Sequence, residues 1–244
     1  MKMNKNTKPF YFKGGEKACL LVHGFTGTPA HVLPLGKFLY ENGFTTKAVL
    51  LKGHGTTVED MRVTNYADWF ASVEKGYVEL KAKYKTVYVI GFSMGGILTL
   101  QLARKYNIAK IVTIAAPMRV FDKLAKWTWI AKYFMKYKPW GEAEDPEQDE
   151  KKIIIRYDKV PINGVAGMMK AVKKNERRLA EIDSDVLVIQ PKKDKSVMPI
   201  SAEIIYNNIS SKQKKLVWLE NSYHGCTLGK ERNIIHEEIL SFLC

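Results

Sequence analysis

The segment Gly91-Phe92-Ser93-Met94-Gly95-Gly96 constrains the fold of this chain more than any other. It follows an apolar run at residues 86–90 that is typical of a buried strand, and it precedes a helical pattern at residues 97–104. A G-x-S-x-G sequence between a strand and a helix predicts a sharp turn that presents the serine hydroxyl at the end of a sheet. Glycine is needed two residues either side, because a Cβ there would collide with the neighbouring strand or helix. Ser93 is therefore the candidate nucleophile.

A serine hydroxyl needs a base to take its proton and a third group to orient that base. In enzymes that carry the nucleophile on such a turn, the acid and then the base follow it in the chain. Of the five histidines, only His224 and His236 come after Ser93. His224 follows a strand-like run at residues 215–220, at the edge where parallel sheets hold active sites, so it is the candidate base. His236 lies off the apolar stripe of a terminal helix, and we expect it to be solvated.

The candidate acid is Asp194, just past the end of the apolar run at residues 185–191. Asp183 and Asp185 flank the start of that strand and so lie at the wrong edge of the sheet. Glu220 is an alternative acid because it is nearer to His224 in the sequence.

Acyl transfer builds negative charge on a carbonyl oxygen, which two backbone N–H groups must stabilise. The residue after the nucleophile, Met94, supplies one candidate donor. The loop at residues 23–27 follows an early apolar strand and supplies the other, the N–H of Phe25. We expect His23 to hold this loop by side-chain hydrogen bonds. His54, in the Gly53-His54-Gly55 loop, is expected to be a structural, loop-packing histidine.

The remaining pattern predicts an α/β fold, with a mostly parallel sheet flanked by helices. Residues 9–22 resemble a hairpin around Gly14-Gly15, and residues 28–42 and 65–83 are typical of helices. Further strands are predicted at residues 44–51 and 110–115. A chain of 244 residues accommodates this as one domain, residues 1–244.

The chain resembles bacterial carboxylesterases of the α/β-hydrolase superfamily, in particular small thermostable carboxylesterases related to monoacylglycerol lipases. The resemblance rests on Leu21-Val22-His23-Gly24-Phe25-Thr26-Gly27, Lys52-Gly53-His54-Gly55, the Ser93 turn, Ala115-Ala116-Pro117-Met118, Asp194 and Tyr223-His224. It implies the α/β-hydrolase fold, a triad of Ser93, Asp194 and His224, oxyanion donors at Phe25 and Met94, and short-to-medium acyl esters as substrates. It implies no cofactor. A monoacylglycerol lipase, thioesterase or acyltransferase would use the same triad, and a slow-turnover ligand sensor would keep the same pocket.

Residues 118–183 are predicted to form a helical lid, because no strand pattern appears there and helical signals occupy residues 120–138, 147–160 and 164–181. This segment carries more large apolar side chains than one buried helix stripe needs, including Trp127, Trp129 and Trp140. Trp127, Trp129 and Met118 are the candidate substrate-binding residues. Ordinary packing of the lid on the body of the domain is the alternative. The lid is also the segment that least resembles the family. The family's acyl preference is therefore the property that is least safely assigned to this chain.

Charge and hydropathy patterns limit the classes of partner that this chain is expected to bind. The formal charge is +14, but the lysines are scattered and form no basic tract, which argues against nucleic-acid binding. No apolar run approaches the ~20 residues of a spanning helix, so no stable membrane insertion is expected. The histidines lack a metal-ligand spacing, and three cysteines form no disulfide framework. With no apolar run typical of a secretory signal, a cytoplasmic location is expected. The oligomeric state stays open.

Overall fold

The computed structural model describes residues 7–139 and 157–244. A seven-stranded sheet runs through it in the order β1-β3-β2-β4-β5-β8-β9, and a separate two-stranded sheet pairs β6 with β7. The strands in the described part of the chain are β1 (Phe10–Phe12), β2 (Lys17–Val22), β3 (Thr45–Val49), β4 (Thr86–Phe92), β5 (Lys110–Ile114), β6 (Tyr137–Pro139), β7 (Lys159–Pro161), β8 (Asp185–Pro191) and β9 (Lys214–Leu219).

The large sheet is parallel except at one edge, where β1 pairs antiparallel with β3. The carboxyl ends of the parallel strands therefore share one edge of the sheet. The loops after β2, β4, β5, β8 and β9 leave from that edge, which is where α/β sheets hold their ligands. The mostly parallel α/β architecture predicted from the sequence is confirmed.

Helices cover both faces of the sheet. Within the described residues they are α1 (Leu33–Glu41), α2 (Val58–Arg62), α3 (Tyr66–Lys81), α4 (Met94–Lys105), α5 (Thr128–Ala131), α6 (Ile162–Glu176), α7 (Ile200–Asn208) and α8 (Arg232–Leu243). Alternate β2 residues divide between two cores: Leu20 packs with α3 and α4, whereas Leu21 packs with α1 and α8. Among the described helices, none has the length and apolar character needed to cross a membrane.

The first strand is not part of a hairpin with β2, so that prediction was wrong. Phe10 pairs with Ala48 of β3, and β3 separates β1 from β2. Gly14 and Gly15 instead pass tightly against the turn before β3: Gly15 N–H donates to the Gly43 carbonyl at 3.1 Å. A Cβ at Gly14 would lie 2.4 Å from the Phe44 carbonyl oxygen. The two glycines permit this close backbone approach and carry the chain across β3.

In its described part, residues 115–139 and 157–184, the segment between β5 and β8 is less helical than predicted. The expected helix at residues 120–138 contains only a 3₁₀ turn, Ala125–Trp127, and the short α5, and then ends in strand β6. Strand β7 pairs with β6, although no strand was expected in this segment. Most of the expected helix at residues 147–160 lies outside the described residues. The expected helix at residues 164–181 is α6 followed by a 3₁₀ turn at Leu179–Glu181.

His236 is buried, contrary to the prediction that it would be solvated. Its side chain stacks on Phe38 of α1, with ring centroids 5.0 Å apart and an interplanar angle of 28°. Burial lowers the pKa of His236 to about 4. The helical pattern marked one apolar stripe on α8, but α1 also packs against this helix and covers a second strip of its surface.

Candidate active site

Ser93 occupies the predicted turn between β4 and α4, with φ 54° and ψ −122°. A positive φ is uncommon for a residue with a Cβ, and such strain clusters at functional sites. The turn is held on both sides, since Ser93 N–H donates to the Ile114 carbonyl and its own carbonyl accepts from Gly96 N–H, both at 2.8 Å. The serine hydroxyl is thus fixed at the carboxyl edge of the sheet.

The steric reason given for the flanking glycines is confirmed by the packing. A Cβ at Gly91 would lie 2.2 Å from the Gly95 carbonyl oxygen, and one at Gly95 would lie 2.2 Å from the Val22 carbonyl oxygen. Both positions lie far inside van der Waals contact with backbone atoms, which cannot swing aside as a side chain can. Strand β4 approaches the first turn of α4 at Gly91, and strand β2 approaches it at Gly95, so closely that only glycine fits at these two positions.

Ser93, His224 and Asp194 form a continuous chain of hydrogen bonds. The Ser93 Oγ lies 3.0 Å from His224 Nε2, and His224 Nδ1 lies 2.7 Å from Asp194 Oδ2. Because an ionised carboxylate only accepts, Nδ1 carries the proton and Nε2 presents its lone pair to the serine hydroxyl. The arrangement can therefore withdraw a proton from Ser93 and hold it on the imidazole.

Asp194 is buried, with 2% of its surface exposed. Its Oδ1 accepts from the backbone N–H groups of Ser196 and Val197, both at 2.8 Å, which leaves Oδ2 directed at His224. The amide of Gln190 also approaches Oδ2, at 3.4 Å. The alternative acid, Glu220, points away into solvent and pairs with Lys192 at 2.6 Å. Gln190 was missed in the sequence because it lies within an apolar strand and belongs to no motif.

The loop after β2 lies directly beside the serine. A Cβ at Gly24 would be 3.0 Å from Ser93 Cβ and 3.5 Å from Ser93 Oγ. Phe25 follows Gly24, and its ring packs on Trp69 with centroids 5.5 Å apart. Met94 is the first residue of α4, so its N–H belongs to the positive end of that helix. Both predicted oxyanion donors thus belong to backbone segments adjacent to Ser93.

Buried histidines support this loop. His23 lies within hydrogen-bonding distance of the Gly24 carbonyl through Nδ1, at 2.9 Å, and accepts from Leu51 N–H at Nε2, at 3.2 Å. These bonds confirm that His23 holds the loop, and they require its neutral form. Burial, followed by the neighbouring His54, holds the pKa of His23 well below its usual value. His54 is itself buried, and its ring lies edge-on to Trp69 at 5.4 Å, as expected for a loop-packing side chain.

A cavity of about 360 Å³ lies between the start of the segment after β5 and helix α6. The residues that line it are Met118, Arg119, Val120, Asp122, Lys123, Met169, Val172, Lys173 and Glu176. Val120, Met169 and Phe25 all pack against one small apolar cluster of Ala125, Val160 and Val165, so the cavity wall and the loop after β2 share that cluster. A two-pronged ion pair between Arg119 and Glu176 lies along its wall.

The three candidate substrate-binding residues differ in burial and in whether they line this cavity. Met118 lines this cavity and is 1% exposed. Trp127 and Trp129 do not line it, and they are 54% and 60% exposed. Trp140 lies outside the described residues. Within residues 7–139 and 157–244, no three metal-ligating side chains gather into a cluster that could hold a metal ion.

Comparison with known proteins gives consistent matches over almost the whole chain. The Hydrolase_4 family model, serine aminopeptidase S33, matches residues 15–231. The chain is 36% identical over 237 residues to a carboxylesterase of Bacillus subtilis (strain 168), covering 97% of this chain and 96% of that protein. It is 37% identical over 239 residues to a thermostable monoacylglycerol lipase of Bacillus sp. (strain H-257), covering 96% and 93%.

A solved structure from work on LipS and LipT, two metagenome-derived lipolytic enzymes, superimposes with a TM-score of 0.92 at 29% identity. The match covers 99% of this chain and 98% of that one. The sheet order, the serine turn and these matches agree with one another. The chain belongs to the Hydrolase_4 (serine aminopeptidase, S33) family of the α/β-hydrolase fold and is an ester hydrolase of the carboxylesterase and monoacylglycerol lipase type.

Proposed function

We propose that this protein is a serine carboxylesterase in which Ser93, His224 and Asp194 form the catalytic triad. The observation that carries the proposal is the continuous hydrogen-bond chain from Ser93 Oγ through His224 to the buried Asp194. The backbone geometry of Ser93 supports it, since a positive φ is maintained there only by tight packing around the turn.

The reaction proceeds through an acyl-enzyme. Ser93 Oγ attacks the ester carbonyl carbon while His224 Nε2 takes the hydroxyl proton, and Asp194 stabilises the imidazolium. The tetrahedral intermediate collapses, the C–O bond to the alcohol breaks, and His224 returns the proton to the departing oxygen. A water molecule, deprotonated by His224, then attacks the acyl-enzyme and releases the carboxylic acid and free Ser93. These steps need no cofactor.

The N–H groups of Phe25 and Met94 are the proposed oxyanion donors. The short approach between Gly24 and Ser93 supports Phe25, because the donor must lie beside the attacking oxygen. The position of Met94 at the first turn of α4 supports the second donor, since the helix dipole favours negative charge there.

Residues 118–183 are proposed to form the lid, and the cavity beside Met118 is proposed to receive the acyl chain of short-to-medium esters. Val120 and Met169 of the cavity wall pack against the same small apolar cluster as Phe25 of the proposed oxyanion loop, and this shared cluster supports the assignment. The volume of this cavity, about 360 Å³, falls in the range of small-molecule sites. Trp127 and Trp129 stay proposed substrate contacts, and their exposed rings are accessible to a ligand.

A second candidate is a monoacylglycerol lipase with the same triad. The similarity to the Bacillus monoacylglycerol lipase supports it, at an identity close to that of the carboxylesterase. Initial rates on p-nitrophenyl esters of increasing chain length, beside a monoacylglycerol and a thioester, separate the two. The monoacylglycerol lipase hypothesis predicts that kcat/KM for the monoacylglycerol exceeds kcat/KM for every simple ester. Single turnover on every substrate would instead identify a sensor.

The triad is tested by labelling with a sulfonyl fluoride and locating the adduct by mass spectrometry. The adduct should lie on the Ser93 peptide, and Ser93→Ala should lower kcat by roughly 10⁴–10⁶-fold. An adduct on a different serine, or an active Ser93→Ala, would refute the assignment.

A further inference from the structure

The carboxylate of Glu231 accepts hydrogen bonds from three consecutive residues just before His224. Its Oε1 accepts from Glu220 N–H at 3.2 Å, and its Oε2 accepts from Asn221 N–H at 2.9 Å and from Ser222 Oγ at 2.7 Å. Ser222 is fully buried, and only Tyr223 separates it from His224. One carboxylate thus organises the whole turn that leads from β9 to His224.

This turn needs an acceptor from outside itself. The chain leaves β9 at Leu219, so Glu220 and Asn221 lie beyond the named strand. A buried hydroxyl such as that of Ser222 is costly without a partner. A carboxylate satisfies all three donors at once, and bonds to an ionised acceptor are stronger than neutral ones.

Glu231 is itself firmly placed, because it immediately precedes α8. Ile235 and Ile239 of that helix are buried in the core beneath the sheet. The carboxylate therefore connects the loop at residues 220–222 to helix α8, which is anchored in the core by its buried isoleucines. The side chain of Glu220 takes no part in this contact, since it pairs with Lys192.

We propose that Glu231 is a positioning residue: by holding residues 220–222, it sets the place of the His224 imidazole between Ser93 and Asp194. The inference rests on the proposed function of those three residues. It assigns Glu231 no contact with substrate. A displacement of about 1 Å in a catalytic group can cost about 10²-fold in rate, so a support of this kind has a measurable effect.

The two oxygens of Glu231 explain which substitution is informative. Glutamine has the same size but only one acceptor oxygen, so Glu231→Gln must turn an N–H₂ group toward at least one of the three donors. Ser222→Ala removes one bond and leaves the two backbone bonds in place. The loss from Glu231→Gln should therefore exceed that from Ser222→Ala.

The experiment compares these variants with Glu238→Gln, a matched control. Glu238 lies on α8, the helix that Glu231 precedes, and it forms a salt bridge with Lys215 of β9, away from the turn. At a temperature where every variant is folded, Glu231→Gln should lower kcat by roughly 10–100-fold with KM little changed. Glu238→Gln should keep wild-type kcat and KM.

Two further readouts separate positioning from simple stability. The downfield N–H resonance of His224 Nδ1, expected from its short bond to Asp194, should shift or broaden in Glu231→Gln and stay unchanged in Glu238→Gln. The double variant Ser222→Ala/Glu231→Gln should lose less than the product of the two single losses, because both changes act on one network.

Wild-type kcat and an unmoved resonance in folded Glu231→Gln would overturn the proposal, as would an equal loss in Glu238→Gln. If Glu231→Gln does not fold, Ser222→Ala decides: it must lower kcat and move the resonance, and no change in either overturns the idea. Ser93→Ala is measured alongside. Activity in Ser93→Ala refutes the triad itself, whereas an inactive Ser93→Ala beside a fully active Glu231→Gln refutes only the role of Glu231.

Discussion

Asp194→Asn tests the proposed triad most sharply, because the structure dictates how the new amide must sit. Asp194 Oδ1 accepts two backbone N–H groups, from Ser196 and Val197. In the variant, the single amide oxygen must keep that position, since the N–H₂ group there would face two donors. The N–H₂ group then occupies the Oδ2 position, beside His224 Nδ1.

The consequence is a change of tautomer. An amide N–H₂ donates, so His224 Nδ1 must accept, and the imidazole proton moves to Nε2. There it faces the Ser93 hydroxyl and cannot take its proton. The same substitution in a well-studied serine-protease triad lowers kcat by about 10⁴ with the geometry intact, and we expect a similar loss here. That factor corresponds to about 5.4 kcal/mol of transition-state stabilisation.

The assay is steady-state hydrolysis of a soluble p-nitrophenyl ester, with urea unfolding measured on the same samples. Both backbone bonds to Oδ1 survive, so the free energy of unfolding should fall by about 1.5–3 kcal/mol, the range for a hydrogen bond to a charged group. Glu220→Gln is the control, because Glu220 is exposed and pairs with Lys192. Near-normal kcat in Asp194→Asn together with an inactive Glu220→Gln would show that the wrong carboxylate was assigned.

Three further outcomes follow from the packing. Gly95→Ala places a Cβ 2.2 Å from a β2 carbonyl oxygen, so it should lower the free energy of unfolding by about 1–3 kcal/mol or more and abolish activity. The control Gly167→Ala, whose Cβ lies no closer than 3.7 Å to a neighbouring atom, should leave stability unchanged or raise it, because alanine favours the helix. Equal unfolding midpoints for the two variants would contradict this. Burial lowers the pKa of His31 and of His54 to about 4, so both bind protons more weakly when folded. The free energy of unfolding should therefore be highest above about pH 6.5 and should fall by up to about 3 kcal/mol per histidine as the pH is lowered to about 4. A free energy of unfolding that does not change with pH in urea titrations would refute this. Met118→Ala enlarges the proposed acyl cavity, so it should shift the ratio of kcat/KM between long and short esters by roughly 1–3 kcal/mol per methylene accommodated. An unchanged ratio would show that the acyl chain binds elsewhere.

Local sequence was sufficient wherever a short segment determines its own geometry. The turn at Ser93 is such a case, because the strand, the glycines and the helix that define it are contiguous. The continuous apolar runs of β4 and β8 likewise predicted buried parallel strands. From these, the ends of the strands indicated where Asp194 and His224 would lie, and the structure places His224 against Ser93 and Asp194 against His224.

Contacts between distant segments were decided only by the tertiary structure. The pairing of β1 with β3 depends on a close backbone approach 30 residues along the chain, between Gly14 or Gly15 and the turn at residues 43–45. The burial of His236 depends on α1, and nothing in the pattern of α8 reveals which neighbour covers it. The sequence left Glu220 as an alternative to Asp194, because nearness along the chain says nothing about side-chain direction.

Glu231 shows the same limit most clearly. Its carboxylate belongs to no motif, and it follows His224 as an ordinary charged residue before a terminal helix. Its three hydrogen bonds exist only because the chain turns back after β9 and brings residues 220–222 to the start of α8. Sequence patterns encode periodicity and local sterics, so they predicted most strands of the large sheet and the turn at Ser93. The partners of each polar group depend on how those elements pack, and packing is decided by the whole chain at once.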